Sequence, residues 1–296
     1  MSDRTLSGLD SLSMLSEQEL EALAVPAAEA VEMPSTRYLD LGPIGRGGMG
    51  EVRRVLDRHL GSTLAMKTLS PHLLASQSAM LRFQAEIRVT ARLIHPGVVS
   101  VQDHGVLADG RPWFTMTEVH GEDLATVLAE RGWSLRRCIE ALSRVCEVMA
   151  YAHSVGVIHR DLKPANVMIG SFGEVYVMDW GLARVSGTLI DPAHQTALFD
   201  DGDALKTRLG QRLGTPAYMA PEQAAGSLSV GPTNDVFSIG AMLHHILTGA
   251  PPGRRALRGP QGLVDLCRKA MVEAAAARLE DAGTVLRACL LYTSPS

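Results

Sequence analysis

His159-Arg160-Asp161-Leu162-Lys163-Pro164-Ala165-Asn166 gathers a carboxylate, an ammonium and a carboxamide on one short stretch between apolar runs. Upstream, Ser134 is a plausible N-cap for a helix reaching about Ser154. Leu135, Ile139, Leu142, Val145, Val148, Met149 and Ala152 recur there near helical spacing. Downstream, short strands are expected near Val167–Ile169 and Val175–Met178, followed by Met178-Asp179-Trp180-Gly181. A loop rich in Asp, Gly and Thr then covers roughly 184–213. Helices are expected at about Pro221–Ala225, Thr233–Leu247, Leu263–Ala276 and Leu279–Ala288, so this half of the chain reads as mainly helical.

The first half has a different period. Tyr38–Gly45, Glu51–Asp57, Thr63–Thr68, Val98–Gly105 and Trp113–Glu118 read as strands, with one helical pattern around Ala79–Ile94. Between the first two strands lies Gly45-Arg46-Gly47-Gly48-Met49-Gly50-Glu51-Val52. Such a loop lets backbone N–H groups approach phosphate oxygens with no Cβ in the way. Alone, it fits a glycine-rich hairpin without a ligand equally well. A dinucleotide-binding turn is disfavoured, because a strand follows the glycines, not a helix. Lys67 in Ala65-Met66-Lys67 sits on an apolar strand and needs an anionic partner there. Phosphate oxygens could supply one, and Glu86 on the following helix another.

Taken together, the glycine loop, Lys67 with Glu86, His159–Asn166 and Met178–Gly181 resemble the eukaryotic-like (Hanks-type) Ser/Thr protein kinases of bacteria, over about residues 37–288. The resemblance implies an α+β, two-lobed protein kinase-like fold. The N-lobe, about 37–119, would be an antiparallel sheet plus one helix; the C-lobe, about 120–288, would be mainly helical, with ATP in the cleft. It implies a transfer of the ATP γ-phosphate to protein Ser/Thr hydroxyls, aided by Mg²⁺, with Mn²⁺ as a possible substitute. In that chemistry Asp161 would accept the hydroxyl proton and Lys163 would reach the γ-phosphate. Asn166 and Asp179 would hold the metal through hard oxygen ligands. Lys67 would grip the α/β-phosphates and pair with Glu86. Ile44, Gly45, Gly47, Gly48, Gly50, Val52 and Ala65 would enclose the nucleotide, with Met116 as gatekeeper and Thr117-Glu118-Val119 as the adenine hinge.

The same resemblance extends to Gly214-Thr215-Pro216-Ala217-Tyr218-Met219-Ala220-Pro221-Glu222, which looks like the segment that receives the substrate. Thr215 would contact Asp161 and Lys163 and favour Ser/Thr acceptors. Glu222 would pair with Arg278, and Asp235 would brace the catalytic-loop backbone. Arg160 beside Asp161 suggests control by a phosphate on the loop, with Thr207 the leading acceptor, Thr196 and Thr188 behind it, and a homodimer as a route to trans-autophosphorylation. A module that holds nucleotide without chemistry usually lacks one of Lys67, Asp161 or Asp179; this chain has all three.

Three features depart from the pattern. Trp180 replaces the usual Phe after the metal-binding Asp. Few residues lie between Thr248 and Leu263, where a further helix is usual, which puts substrate docking in doubt. An alanine run precedes Arg278. Residues 1–36 read as a mobile leader. Residues 289–296 resemble one reading frame of a library adapter and are set aside from the fold.

Composition narrows the partners. Of 296 residues, 46% are hydrophobic and 20% charged, which fits a globular chain. The net charge of −4, without a basic stripe, gives no reason to expect nucleic acid. No apolar run reaches the roughly 18 residues needed to span a bilayer. Cys138, Cys146, Cys267 and Cys289 have no metal-site spacing and read as buried or free thiols in a reducing cytoplasm. The adjacent His244 and His245 read as packing residues.

Overall fold

The computed structural model describes residues 36–130, 132–185, 216–226 and 231–293. The described chain divides into two compact units. One comprises the residues up to Ile87 with Val99–Glu118, and the other Arg88–Val98 with everything from Val119 on.

In the first unit the alternating patterns become strands β1 (Tyr38–Arg46), β2 (Gly50–Asp57), β3 (Ser62–Leu69), β4 (Val101–Val106) and β5 (Pro112–Thr117). They pair antiparallel in the order β1-β2-β3-β5-β4. Helix α1 (Gln77–Arg92) is inserted between β3 and β4. The period of 2 sorts β3: Leu64 and Met66 join Tyr38, Val55, Leu107 and Trp113 in one buried cluster. Ala65 and Lys67 therefore face the other way. Phe114 pairs opposite Lys67 and meets Phe83 of α1 edge-on at 5.5 Å, which fixes the helix against that second face. Ion pairs close the sheet's ends: Arg53 with Asp40 at 2.7 Å, both buried, and Arg37 with Asp57 at 2.6 Å.

The second unit opens with β6 (Gly121–Asp123), α2 (Leu124–Glu130) and α3 (Leu135–Ser154). Ser134 caps α3 as expected, its hydroxyl accepting from the Arg137 N–H. Then come β7 (Val157–Ile158), β8 (Val167–Gly170), β9 (Val175–Val177) and β10 (Arg184–Val185). β6-β8-β9 form one small sheet and β7 with β10 another. The chain resumes with α4 (Pro221–Ala224), α5 (Pro232–Thr248), α6 (Gln261–Ala270) and α7 (Ala282–Thr293). A core of aliphatic side chains from α3, β7, β8, β9, α5 and α6 buries Trp180 to 1% exposure. The Trp180 indole N–H finds the Val177 carbonyl at 3.1 Å, so the larger ring is accommodated with its polar atom satisfied.

Three expectations are corrected. The helix expected over Leu263–Ala276 stops at Ala270, and the alanine run forms a 3₁₀ turn at Ala275–Ala277. The last helix begins at Ala282, not Leu279, with the Asp281 carboxylate accepting from the Thr284 N–H at 2.8 Å. The physical reason is Arg278, whose side chain is fully buried. Its guanidinium uses all five N–H donors: two on Glu222 and three on the carbonyls of Thr233, Val272 and Glu273. Carbonyls aimed inward at a buried cation are unavailable to a helix ladder, so the chain wraps around it. The third is the end of the last helix: α7 runs past the expected Ala288 through Thr293, packs along α3 and buries Cys289. Among the described residues no helix is long and apolar enough to cross a membrane, and all four cysteines are buried and unpaired.

Candidate active site

In the first unit the site residues cluster at one end of the sheet. Lys67 lies opposite Val52 on β2 and Phe114 on β5. Its ammonium meets Glu86 on α1 at 2.5 Å, and the Glu86 side chain is 5% exposed. The pairing expected from sequence is therefore in place, and the lysine is aimed off a rigid strand rather than carried on a loop. Ala65 and Met116 pair across β3 and β5 and are buried beside it, whereas Ile44 is exposed. The Glu118 side chain is engaged by the Arg54 guanidinium, with Nε to Oε2 at 2.8 Å.

The glycines do different work. A Cβ on Gly50 would lie 2.1 Å from the Thr68 carbonyl oxygen, so glycine there is demanded by the close approach of β2 to β3. Gly45 and Gly47 have open space where a Cβ would go, and the loop closes with Gly47 N–H donating to the Gly50 carbonyl at 2.8 Å. The first two leave room for something else to approach the backbone.

In the second unit the catalytic-loop candidates converge. Lys163 Nζ donates to Asp161 Oδ2 at 2.8 Å. Asn166 Nδ2 donates to the Asp161 carbonyl at 2.8 Å and to Oδ2 at 3.1 Å. Asn166 immediately precedes β8 and Asp179 follows β9, so the antiparallel pairing of Val167 with Val177 brings the two to one edge. Met178 N–H seals that edge on the Asn166 carbonyl at 2.8 Å. Among the described residues only Arg160 and Asp179 hold a positive φ without being glycine, at 69° and 61°. Such strain persists only where surroundings over-determine it, and it flanks the chemistry here.

Asp235, on α5, supplies that over-determination. It is fully buried and accepts the N–H groups of His159 and Arg160 at 2.8 Å each, together with His153 Nε2 at 2.9 Å. Sequence reading found Asp235 but missed three partners. Gln223 donates to the Arg160 carbonyl at 2.6 Å. His159 bridges to the Asp179 segment, with Nε2 on the Met178 carbonyl at 3.0 Å and Nδ1 accepting from Asp161 N–H at 3.2 Å. His153 was read only as part of a helix. A His in the last turn of an amphipathic helix is the only signal that pointed to it, whereas nothing local marks Gln223. The expected Glu222–Arg278 pair is present, at 2.8 and 3.1 Å. Thr215, Thr207, Thr196 and Thr188 lie outside the described residues.

Electrostatics gives this framework an acid limit. Burial pushes the Asp235 carboxyl up, but the His153 hydrogen bond, the charges of His153 and His159 and the Arg160 N–H outweigh it and hold it below the ordinary range. Glu222 behaves likewise: burial raises it, and the Arg278 hydrogen bond holds it down. Carboxyls depressed in the folded state stabilise it fully above their unfolded values, near pH 4. That stability is lost as pH falls through the lower folded values. The melting temperature should therefore decline once pH drops below about 4, and Glu222→Gln should flatten part of that decline. An unchanged acid slope in Glu222→Gln would show that this pair does not set the limit.

Comparison with known proteins points one way. A model of the protein kinase domain matches residues 38–281. The serine/threonine-protein kinase pkn3 of Myxococcus xanthus is 38% identical over 215 residues, 71% of this chain and 37% of that protein. The serine/threonine-protein kinase PknB of Mycobacterium tuberculosis is 38% identical over 223 residues, 74% of this chain and 33% of that one. The chain thus spans about a third of the length of these curated relatives. Among solved structures, the kinase domain of Mycobacterium tuberculosis PknI superposes with a TM-score of 0.66 at 26% identity, covering 91% of this chain and all of that one.

Proposed function

The chain belongs to the protein kinase domain family, and we propose that it transfers the γ-phosphate of Mg·ATP to Ser and Thr hydroxyls of proteins. The observation that carries this reading is the Asp161 constellation: a carboxylate fixed by Lys163 and Asn166 on a loop braced by Asp235. Asp161 accepts the proton of the attacking hydroxyl and orients its oxygen. Lys163 neutralises charge on the transferring phosphoryl, and a lysine there resembles Ser/Thr rather than Tyr kinases. Lys67, held by Glu86, grips the α/β-phosphates of ATP. The glycine loop covers the phosphates, and the backbone at Glu118 and Val119 meets the adenine edge beside Met116.

The donor set suits a hard cation. Asn166 commits its amide nitrogen to Asp161, which turns its oxygen to the metal role, and Asp179 offers a carboxylate. Among the described residues no cluster of three or more His, Cys, Asp or Glu could hold a metal by itself. This fits an ion that completes its shell with phosphate oxygens and water, as Mg²⁺ does. Bound there, the ion would offset phosphate charge; Mn²⁺ has the same oxygen preference.

We further assign residues 37–288 as the catalytic domain, and the chain's four buried cysteines, none in a disulfide, suit a reducing cytoplasm. Thr215 selects Ser/Thr acceptors, and two copies phosphorylate one another at Thr207, whose phosphate then pairs with Arg160. The test is Mg·ATP phosphotransfer to a generic Ser/Thr-rich polypeptide and to the chain itself, with site mapping. Incorporation that maps to Thr207 and is lost in Thr207→Ala supports both parts. A folded, ATP-binding protein that transfers nothing overturns the first, and unchanged maps in Thr207→Ala overturn the second.

A further inference from the structure

The stretch joining α5 to α6 is short, has no helix, and is unusually basic. It carries Arg254, Arg255 and Arg258 and no carboxylate, and α6 adds Arg268 and Lys269 against Asp265, on a chain whose net charge is −4. Asp265 is already engaged with Arg268 and Gln261. Arg254, Arg255 and Arg258 are exposed and have no carboxylate partner among the described residues. Cations left without counter-charges on one loop make a local positive field, the reverse of the chain as a whole.

The loop is also held in shape. Arg254 N–H donates to the Pro251 carbonyl, and the Arg255 guanidinium donates to the Thr248 carbonyl at 3.0 Å, tying the loop to the end of α5. Leu257 packs on the core. Gly259 adopts φ 147°, which no other residue takes readily, and so returns the chain to α6. Arg254 and Arg258 are left pointing away from any structural duty in the hydrogen-bond network.

A second observation gives this patch its address. Tyr218, just ahead of α4 in the segment that resembles the substrate-receiving one, reaches the same end of α5. Its hydroxyl lies 2.6 Å from His245 Nδ1, one turn before the loop begins, and its ring stacks obliquely on that imidazole. Burial pushes the Tyr218 hydroxyl up to about 12 and the His245 imidazole down, so the hydroxyl donates and the neutral ring accepts. The Arg254 charge lies near enough to pull Tyr218 the other way. Ser238 fixes the Tyr218 carbonyl at 2.8 Å. Buried Tyr218 therefore ties the residues just ahead of α4 to the last turn of α5, from which the arginine loop leads.

We propose that this loop is a docking surface for protein substrates whose acceptor hydroxyl is flanked by carboxylates, with Arg254 and Arg258 reading the acidic flank. The inference rests on the kinase reading above and names its substrate class. The chain itself contains such a sequence: Asp200-Asp201-Gly202-Asp203 precedes Thr207. Long-range attraction between exposed arginines and an acidic peptide speeds encounter and improves binding, and salt screens it.

The experiment uses the full chain and two peptides, one with the sequence of residues 197–211 and one with Asp200→Asn, Asp201→Asn and Asp203→Asn. Both binding, by fluorescence anisotropy, and phosphotransfer are measured. The parent should phosphorylate the acidic peptide with a KM about tenfold lower than the neutral one, and salt near 0.5 M should erase the difference. Arg254→Glu with Arg258→Glu should raise KM for the acidic peptide about tenfold, leaving kcat and the neutral peptide unchanged. Arg255 is kept because it holds the loop. Equal KM for the two peptides with the parent, or undiminished selectivity in the double variant, overturns the inference and leaves the kinase reading intact. Charge-selective binding without transfer to any acceptor overturns the kinase reading instead. Binding to anionic lipid vesicles or DNA with no preference between the peptides overturns the choice of a protein substrate.

Discussion

Asp161→Asn should lower the rate of phosphotransfer by about 10³-fold while leaving a cooperatively melting protein that still binds ATP. The substitution is nearly isosteric, and the loop's shape does not depend on the Asp161 carboxylate. The backbone of His159 and Arg160 is held by Asp235 and Gln223, and the Asp161 carbonyl by Asn166. What disappears is the carboxylate that lies beside Lys163. A general base contributes roughly 10² to 10⁴ in rate, and because it acts in the transition state the loss should fall on kcat, not on KM for ATP. The measurement is steady-state transfer alongside a thermal melt. A variant within tenfold of the parent's kcat would remove Asp161 from the role of base.

Asp235→Ala should have the largest effect on stability. It strips acceptors from two buried backbone N–H groups and from His153, none of which water can reach. Each unpaired buried donor costs about 1–3 kcal/mol, and Arg160 at φ 69° adds its own strain once nothing holds it there. A loss of about 4 kcal/mol or more in a urea titration is expected, large enough to be diagnostic of a broken buried network. Asp235→Asn keeps one acceptor oxygen and should fall between the parent and the alanine variant. If both variants melt like the parent, the brace is not what holds the loop.

The chemistry was legible because it is written locally. Gly45–Val52, Lys67 and His159–Asn166 carry their meaning in residue type and spacing. Elements that depend on distant partners were not legible. β6 is Gly-Glu-Asp, a sequence with no strand propensity, and it becomes a strand only because β8 offers an edge. β7 and β10 are two-residue pairings with the same dependence. The alanine run near residue 275 has high helix propensity, and the demand of buried Arg278 for carbonyl acceptors overrides it. Gln223 and His153 hold the catalytic loop through contacts 63 and 82 residues away in sequence, to Arg160 and Asp235 respectively.

Sequence separation also sets a timetable for biosynthesis. The loop at His159 emerges from the ribosome 76 residues before Asp235, and Glu222 emerges 56 residues before Arg278. At translation speeds of roughly 5–20 residues per second, each half waits about 3 to 15 s for its clasp. During that interval the catalytic residues have been made but have no brace. A nascent chain therefore holds the residues of the candidate site before the bonds that shape it can form, and the last of those bonds wait for Arg278.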